Sequence, residues 1–244
     1  MRTAALIMLV VATAAHAGVD LQLDQEPRSG HFELSVSPVT VQVNGKFTQH
    51  FGTFAAFTWR LRDRFALQVL GGVNWFNEES SFNQELVDKF RVEAQFSSSL
   101  LWTWGLFGGT EVEPLVGELR MFDQPARLGV VLSIGLGGGG TRHQLKQRSA
   151  TPATWADTGV RFMATAAGGL RLQLGNHFVA RLEVRDVGYS AAVTTLNGCR
   201  AADVSTQCRV FAGPDAAIAR NLLALSSSDT LHVVSVALAA GVAF

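Results

Sequence analysis

Gly135-Leu-Gly-Gly-Gly-Gly140 has the G-x-G-x-x-G spacing that admits a dinucleotide pyrophosphate, and Gly135 to Thr141 resembles part of a phosphate loop. Both motifs need a helix to follow, because its first amides bind the anion. Thr141 to Arg148 is polar with no apolar stripe, and the phosphate-loop lysine is missing. These glycines therefore read as points of close strand contact rather than as a nucleotide site. His143 and Ser149, with Glu111 or Glu113 across from them, supply the residue types of a base, a nucleophile and a carboxylate, as a lipid-modifying barrel enzyme would carry at its rim. Nothing in their spacing selects them from other histidines and serines, and the expectation is a protein without catalytic residues, metal or cofactor. Cys199 and Cys208 are the only cysteines. An even, close pair in an exported chain reads as a disulfide, and zinc would need two further ligands. Their bond closes a small loop, worth on the order of 2–3 kcal/mol by chain entropy.

The remaining polar groups of interest are charged side chains that alternate with apolar ones, and the elements that position them must be strands. Phe178, Ala180, Leu182 and Val184 share one face of 178–185, while Val179, Arg181, Glu183 and Arg185 share the other. The same period of two runs through 160–174, where Arg161, Arg171 and Gln173 oppose an apolar face. It returns in 234–244, which ends on Phe244, as the last strand of an outer-membrane barrel does; Phe244 is the expected signal for the barrel-assembly machinery. With the apolar faces turned outward, Glu33, Arg60, Gln68, Glu118, Arg120, Arg161, Arg171, Gln173, Arg181, Glu183 and Arg185 point inward. Six arginines then meet three glutamates. An eight-stranded barrel is just wide enough for side chains to fill, so these groups are expected to form a structural salt-bridge core. Any surplus of positive charge would give a pore anion preference.

The compartment follows from the first residues. Arg2 is a positive n-region, Ala4 to Ala14 a short apolar stretch and Ala15-His16-Ala17 a cleavage site, so residues 1–17 read as a signal peptide. Residues 18–30 form a polar periplasmic lead and 31–244 a single barrel domain. Twenty basic residues balance twenty acidic ones, which gives no electrostatic case for nucleic acid. The 24 glycines and a mean hydropathy of +0.20, without a long apolar run past the leader, exclude a helical membrane protein.

Strands are expected near 32–43, 51–62, 65–76, 111–122, 127–140, 160–174, 178–192 and 231–244. The chain is thus all-β, an eight-stranded antiparallel transmembrane β-barrel with short periplasmic turns and longer extracellular loops. The second, fourth and sixth connections are short, the third, fifth and seventh long, and only the first, around Asn44-Gly45, departs from the alternation. A sandwich has no reason to show that asymmetry. Asn83 to Ala94 has Leu86, Phe90 and Ala94 at helical spacing and reads as a short amphipathic helix at the mouth. Trp59, Trp75, Phe65, Phe178 and Phe244 fall near strand ends on the outer face, where interfacial girdles lie; Trp102 and Trp104 sit at the outer interface or begin the fourth strand early.

Three segments carry a family likeness: Glu85-Leu-Val-Asp-Lys-Phe-Arg91, Glu113-Pro-Leu-Val-Gly-Glu118, and Gly168-Gly-Leu-Arg171 through Arg181-Leu-Glu-Val-Arg-Asp186. Together they resemble the outer-membrane β-barrel domain family of myxobacteria and related Gram-negative bacteria, over roughly residues 30–244. Members often carry Tyr-Gly-Lys after the proline, where this chain has Val116-Gly117-Glu118. The resemblance implies an outer-membrane location, outer-membrane lipid as surroundings and, by analogy, periplasmic or other envelope-complex partners such as those of gliding motility. The function expected is a structural or scaffold barrel of the cell envelope, with a narrow pore as the alternative.

Overall fold

The computed structural model describes residues 31–45, 48–79, 85, 89–90, 100–121, 124–144, 155–204, 208–211, 213–224 and 229–244. The expected signal peptide and lead, 1–30, lie outside them.

Eight strands follow in chain order: β1 Phe32–Gln42, β2 Thr48–Arg62, β3 Phe65–Glu79, β4 Leu100–Met121, β5 Gln124–Gln144, β6 Trp155–Leu174, β7 Phe178–Ser190 and β8 Thr230–Ala243. Each pairs antiparallel with the next, and β8 pairs with β1, so the sheet closes on itself. All eight expected strands are present. β4 begins at Leu100 instead of 111 and β6 at Trp155 instead of 160. The extra length of β4 is Trp- and Gly-rich, so its two faces do not differ in hydropathy and the alternation that betrays a strand is absent. Connections of two or three residues join β2 to β3, β4 to β5 and β6 to β7, the last with Gly175 at φ 58°, a conformation that favours glycine.

The polarity of the closed sheet is the reverse of a soluble barrel. Leu34, Val69, Leu132, Ile134, Leu182 and Val242 face outward and are exposed, whereas Glu33, Glu111, Arg171 and Arg181 point inward and are almost wholly buried. Strand-end aromatics gather at both rims. Phe32 stacks on Phe57 and Trp59 and lies beside Phe244 at the short-turn end; Trp75 and Trp104 are exposed toward the long connections.

Register shifts decide which residues face in. Trp102 pairs with Thr141 and Trp104 with Gly140, so Thr103 is an inserted residue. Trp102 consequently turns into the core at 1 % exposure, while Trp104 faces out at 44 %. A second shift between Val112 and Leu115, at Pro114, changes the inward parity of β4 again.

The seventh connection, 191–229, carries a helix, α1 Pro214–Ala224, that the sequence reading does not foresee. Pro214 opens it and Asp215 sits in its first turn, both favourable at a helix N-terminus. Of the helix expected at 83–94, Glu85, Lys89 and Phe90 are helical, with Lys89 paired to Glu85; Leu86 and Ala94 lie outside the described residues.

Candidate functional site

The interior holds a charged layer toward the short turns, an apolar layer above it, and toward the long connections further buried polar groups such as His50, Asn77, Thr141 and His143. In the charged layer, alternate positions on β1, β2, β4, β6 and β7 bring four carboxylates and four guanidiniums together. Arg181 donates from Nε to Glu33 (2.6 Å), from Nη1 and Nη2 to the two oxygens of Glu111 (2.7 and 2.9 Å), and from Nη1 to Glu183 (2.9 Å). Arg171 donates to the other oxygen of Glu33 at 2.8 Å. Arg60 bridges Glu33, Glu111 and Glu113 at 3.3, 3.2 and 2.9 Å. Arg185 donates to Glu183 at 2.7 Å and to Thr165 at 3.3 Å. Gln68 adds a bond to Glu111. Charges taken out of water persist only when matched and hydrogen-bonded, and here the match runs in every direction across the lumen.

The sequence reading placed Glu33, Arg60, Gln68, Arg171, Gln173, Arg181, Glu183 and Arg185 inside, and all are buried. It placed Glu118 and Arg120 inside as well, and both are exposed. The cause is stagger: Val112 already pairs with Phe65, the first residue of β3, so Leu115 to Met121 extend beyond the wall with only β5 as neighbour. Glu111 and Glu113, missed as interior groups, supply the acids instead. Pairing β4 without its bulge cannot put Glu111, Glu113 and the 116–120 alternation on the same face. With Glu111 and Glu113 gained, and Glu118, Arg120 and the half-buried Arg161 outside it, the charged layer holds four arginines against four glutamates, and Arg127 at its edge pairs with Asp63 and Glu113, so the expected surplus of arginine is not found there. Arg161 is half-buried, donating to Thr141 Oγ1 at 3.1 Å and to the carbonyl of Ala192.

Above the charges, Phe54, Leu70, Trp102, Phe107, Met163, Val187 and Tyr189 fill the lumen. Two glycines make this packing possible. A side chain at Gly105 would stand 2.8 Å from the ring of Phe107, and one at Gly72 would collide with the ring of Phe54. A cavity of about 20 Å³ remains between Ser35, Ser37, Phe54, Leu70 and Arg185, room for roughly one water.

The seventh connection covers this apolar layer. Val193, Leu196, Cys199, Val204, Phe211, Ala219, Leu222 and Leu223 belong to the same buried cluster as Trp102 and Met163. Leu196 and Cys199 exchange backbone hydrogen bonds around Asn197-Gly198, both at positive φ, the signature of a tight primed turn. Cys199 and Cys208 are joined by a disulfide, as expected.

The glycine run lies inside β5, paired on both sides by β4 and β6, with no helix at its end. A phosphate-binding terminus is therefore not formed there. Glu111 and Glu113 are engaged by Arg181 and Arg60; His143 is buried in β5, and Ser149 lies outside the described residues. Phe244 exchanges backbone hydrogen bonds with Phe32, sealing the β8–β1 seam.

No protein-family model and no curated protein matches this chain.

Proposed function

We propose that the protein is an integral outer-membrane β-barrel with a filled lumen, acting as a structural or scaffold component of the cell envelope. The observation that carries this is the inverted polarity: an apolar outer surface around a buried network of charges. In water that surface would be an aggregation hazard, and in a bilayer it is the required face. Along β8 the outward apolar run from Val234 to Phe244 spans ~33 Å of strand, which at a tilt of about 40° covers ~25 Å of bilayer, the height of an outer-membrane apolar band. Aromatic rims, short turns at one end and long connections at the other support the same reading, as does the leader-like sequence of residues 1–17. The matched charges, the single-water cavity and the covered mouth favour a scaffold over a narrow pore. The family resemblance supports a place beside periplasmic partners of an envelope-spanning complex, gliding motility included.

Membrane fractionation with an unboiled gel tests the barrel. The expected result is recovery in the outer membrane and a folded band that moves differently from the boiled one. A soluble periplasmic protein with no shift would overturn it. For the envelope-complex role, deletion is expected to impair motility or release a periplasmic partner recovered by cross-linking; unchanged motility with no such partner would refute it.

A further inference from the structure

β6 and β7 part before either strand ends. Their ladder stops at Met163 and Tyr189, yet β6 stays paired with β5 up to Trp155, and β7 follows β8 to Ser190. The wall is joined again at Asp157, whose carbonyl accepts from Asn197 N–H (2.6 Å) and whose N–H donates to Asn197 Oδ1 (2.7 Å). Between these points Thr158 to Phe162 have no β7 partner. A bulge turns β6 aside: Thr141 pairs with Gly159 and Arg142 with Asp157, leaving Thr158 extra, and Gly159 adopts φ 80°.

The gap opens on the apolar outer face as a recess of about 520 Å³, bordered by Val160, Phe162, Ala164 and His232 with Arg161 and Tyr189 at its back. Val160 and Phe162 are 71 % and 69 % exposed. Arg161 crosses the gap to Ala192. Unlike Arg60, Arg171, Arg181 and Arg185, it has no carboxylate within ion-pair distance among the described residues. Asp186, a carboxylate on the same outer face, is engaged by His232 at 2.7 Å. Arg161 thus stands at a break in an apolar wall beside the exposed Val160 and Phe162, with no carboxylate partner among the described residues.

We infer that this break is a lateral binding site for a membrane lipid with an anionic headgroup, its phosphate on Arg161 and an acyl chain along Val160, Phe162 and Ala164. The site rests on the membrane reading above, because only a bilayer delivers such a ligand to the outer face. Phosphate and guanidinium match in charge and in hydrogen-bonding geometry.

The test uses full-length mature protein in vesicles of phosphatidylglycerol and phosphatidylcholine, with a photoreactive residue as Phe162→p-benzoylphenylalanine, or at Ile134, equally exposed on β5, as control. Lipid adducts are counted by mass spectrometry. At Phe162, phosphatidylglycerol is expected to be enriched roughly fivefold over its share of the vesicle, about 1 kcal/mol, while Ile134 reports the bulk ratio. Arg161→Gln is expected to return the Phe162 ratio to bulk and Arg161→Lys to retain most of the enrichment, each variant shown folded by its unboiled gel shift. Equal ratios at both positions, or enrichment unmoved by Arg161→Gln, would overturn the site and leave the barrel standing. No lipid adduct at either position would overturn the membrane reading and the site with it.

Discussion

Arg181 and Glu111 meet through two hydrogen bonds, Nη1 to Oε2 and Nη2 to Oε1, at 2.7 and 2.9 Å, with both side chains buried. The pair links β7 to β4 across the lumen, and Arg60 and Gln68 hold the same carboxylate from β2 and β3. Removing the acid would leave Arg181 with Glu33 and Glu183 but strip Arg60 of one partner. Glu111→Ala is therefore expected to cost about 3–5 kcal/mol, the usual range for breaking a buried pair. Glu118→Ala, on the exposed extension of the same strand, is expected to cost less than about 0.5 kcal/mol. Urea unfolding of the two variants in vesicles measures both. Equal losses would contradict the assignment of Glu111 rather than Glu118 to the interior.

Glycines of one strand are not equivalent. Gly105→Val places new carbon against the rings of Phe107 and Trp102, and overpacking of this kind costs roughly 1–3 kcal/mol. Gly108→Val adds its side chain where nothing stands within 4 Å, on the outer face, and is expected to be neutral. The comparison is read from the temperature at which the folded band is lost on unboiled gels. A larger loss at Gly108 would mean that the faces of β4 are reversed.

How far the sequence carried this structure can be seen within β4 itself. Period-two alternation identifies a strand wherever one face is apolar and the other is not, and so β7 and β8 were legible nearly to the residue. It fails at Leu101 to Gly109, where Trp102 and Trp104 are both apolar but turn to opposite sides through the bulge at Thr103. It fails again at Pro114, because a bulge shifts parity without changing composition. Proline was the available signal, since it is confined to edges and bulges within sheets. Strand stagger is the third blind spot: nothing in 115–121 tells how far its neighbour extends, and so Glu118 and Arg120 were assigned a wall they lack. The gap beside Arg161 is invisible for a similar reason, being set by where β7 turns away rather than by any residue in β6.

The disulfide is expected to act locally. Cys199→Ser with Cys208→Ser removes a bridge across a separation of 9 residues, about 2–3 kcal/mol on the chain-entropy account. The barrel strands do not include either cysteine, so the unboiled gel shift is expected to persist, while external protease cleaves the seventh connection faster on intact cells. Loss of the shift itself would show that the covering connection is needed to close the sheet.

A filled lumen is expected to be electrically silent. Purified protein in planar bilayers should give no steady conductance, and Phe54→Ala, which empties space beside the roughly single-water cavity, should still leave the Arg181–Glu111 layer closed beneath it. Stable single-channel steps from the unmodified protein would favour the pore over the scaffold.

The central claim is that the outer face meets lipid while the lumen is packed, and Trp102 and Trp104 test it two residues apart. Single-tryptophan forms retaining one or the other, with the remaining tryptophans replaced by phenylalanine, are inserted into vesicles containing brominated lipid. Strong quenching is expected of Trp104 and little of Trp102, which is 1 % exposed inside the closed sheet. Equal protection of both from bromine would contradict a lipid-facing surface, and the outward apolar residues would then have to be covered by protein.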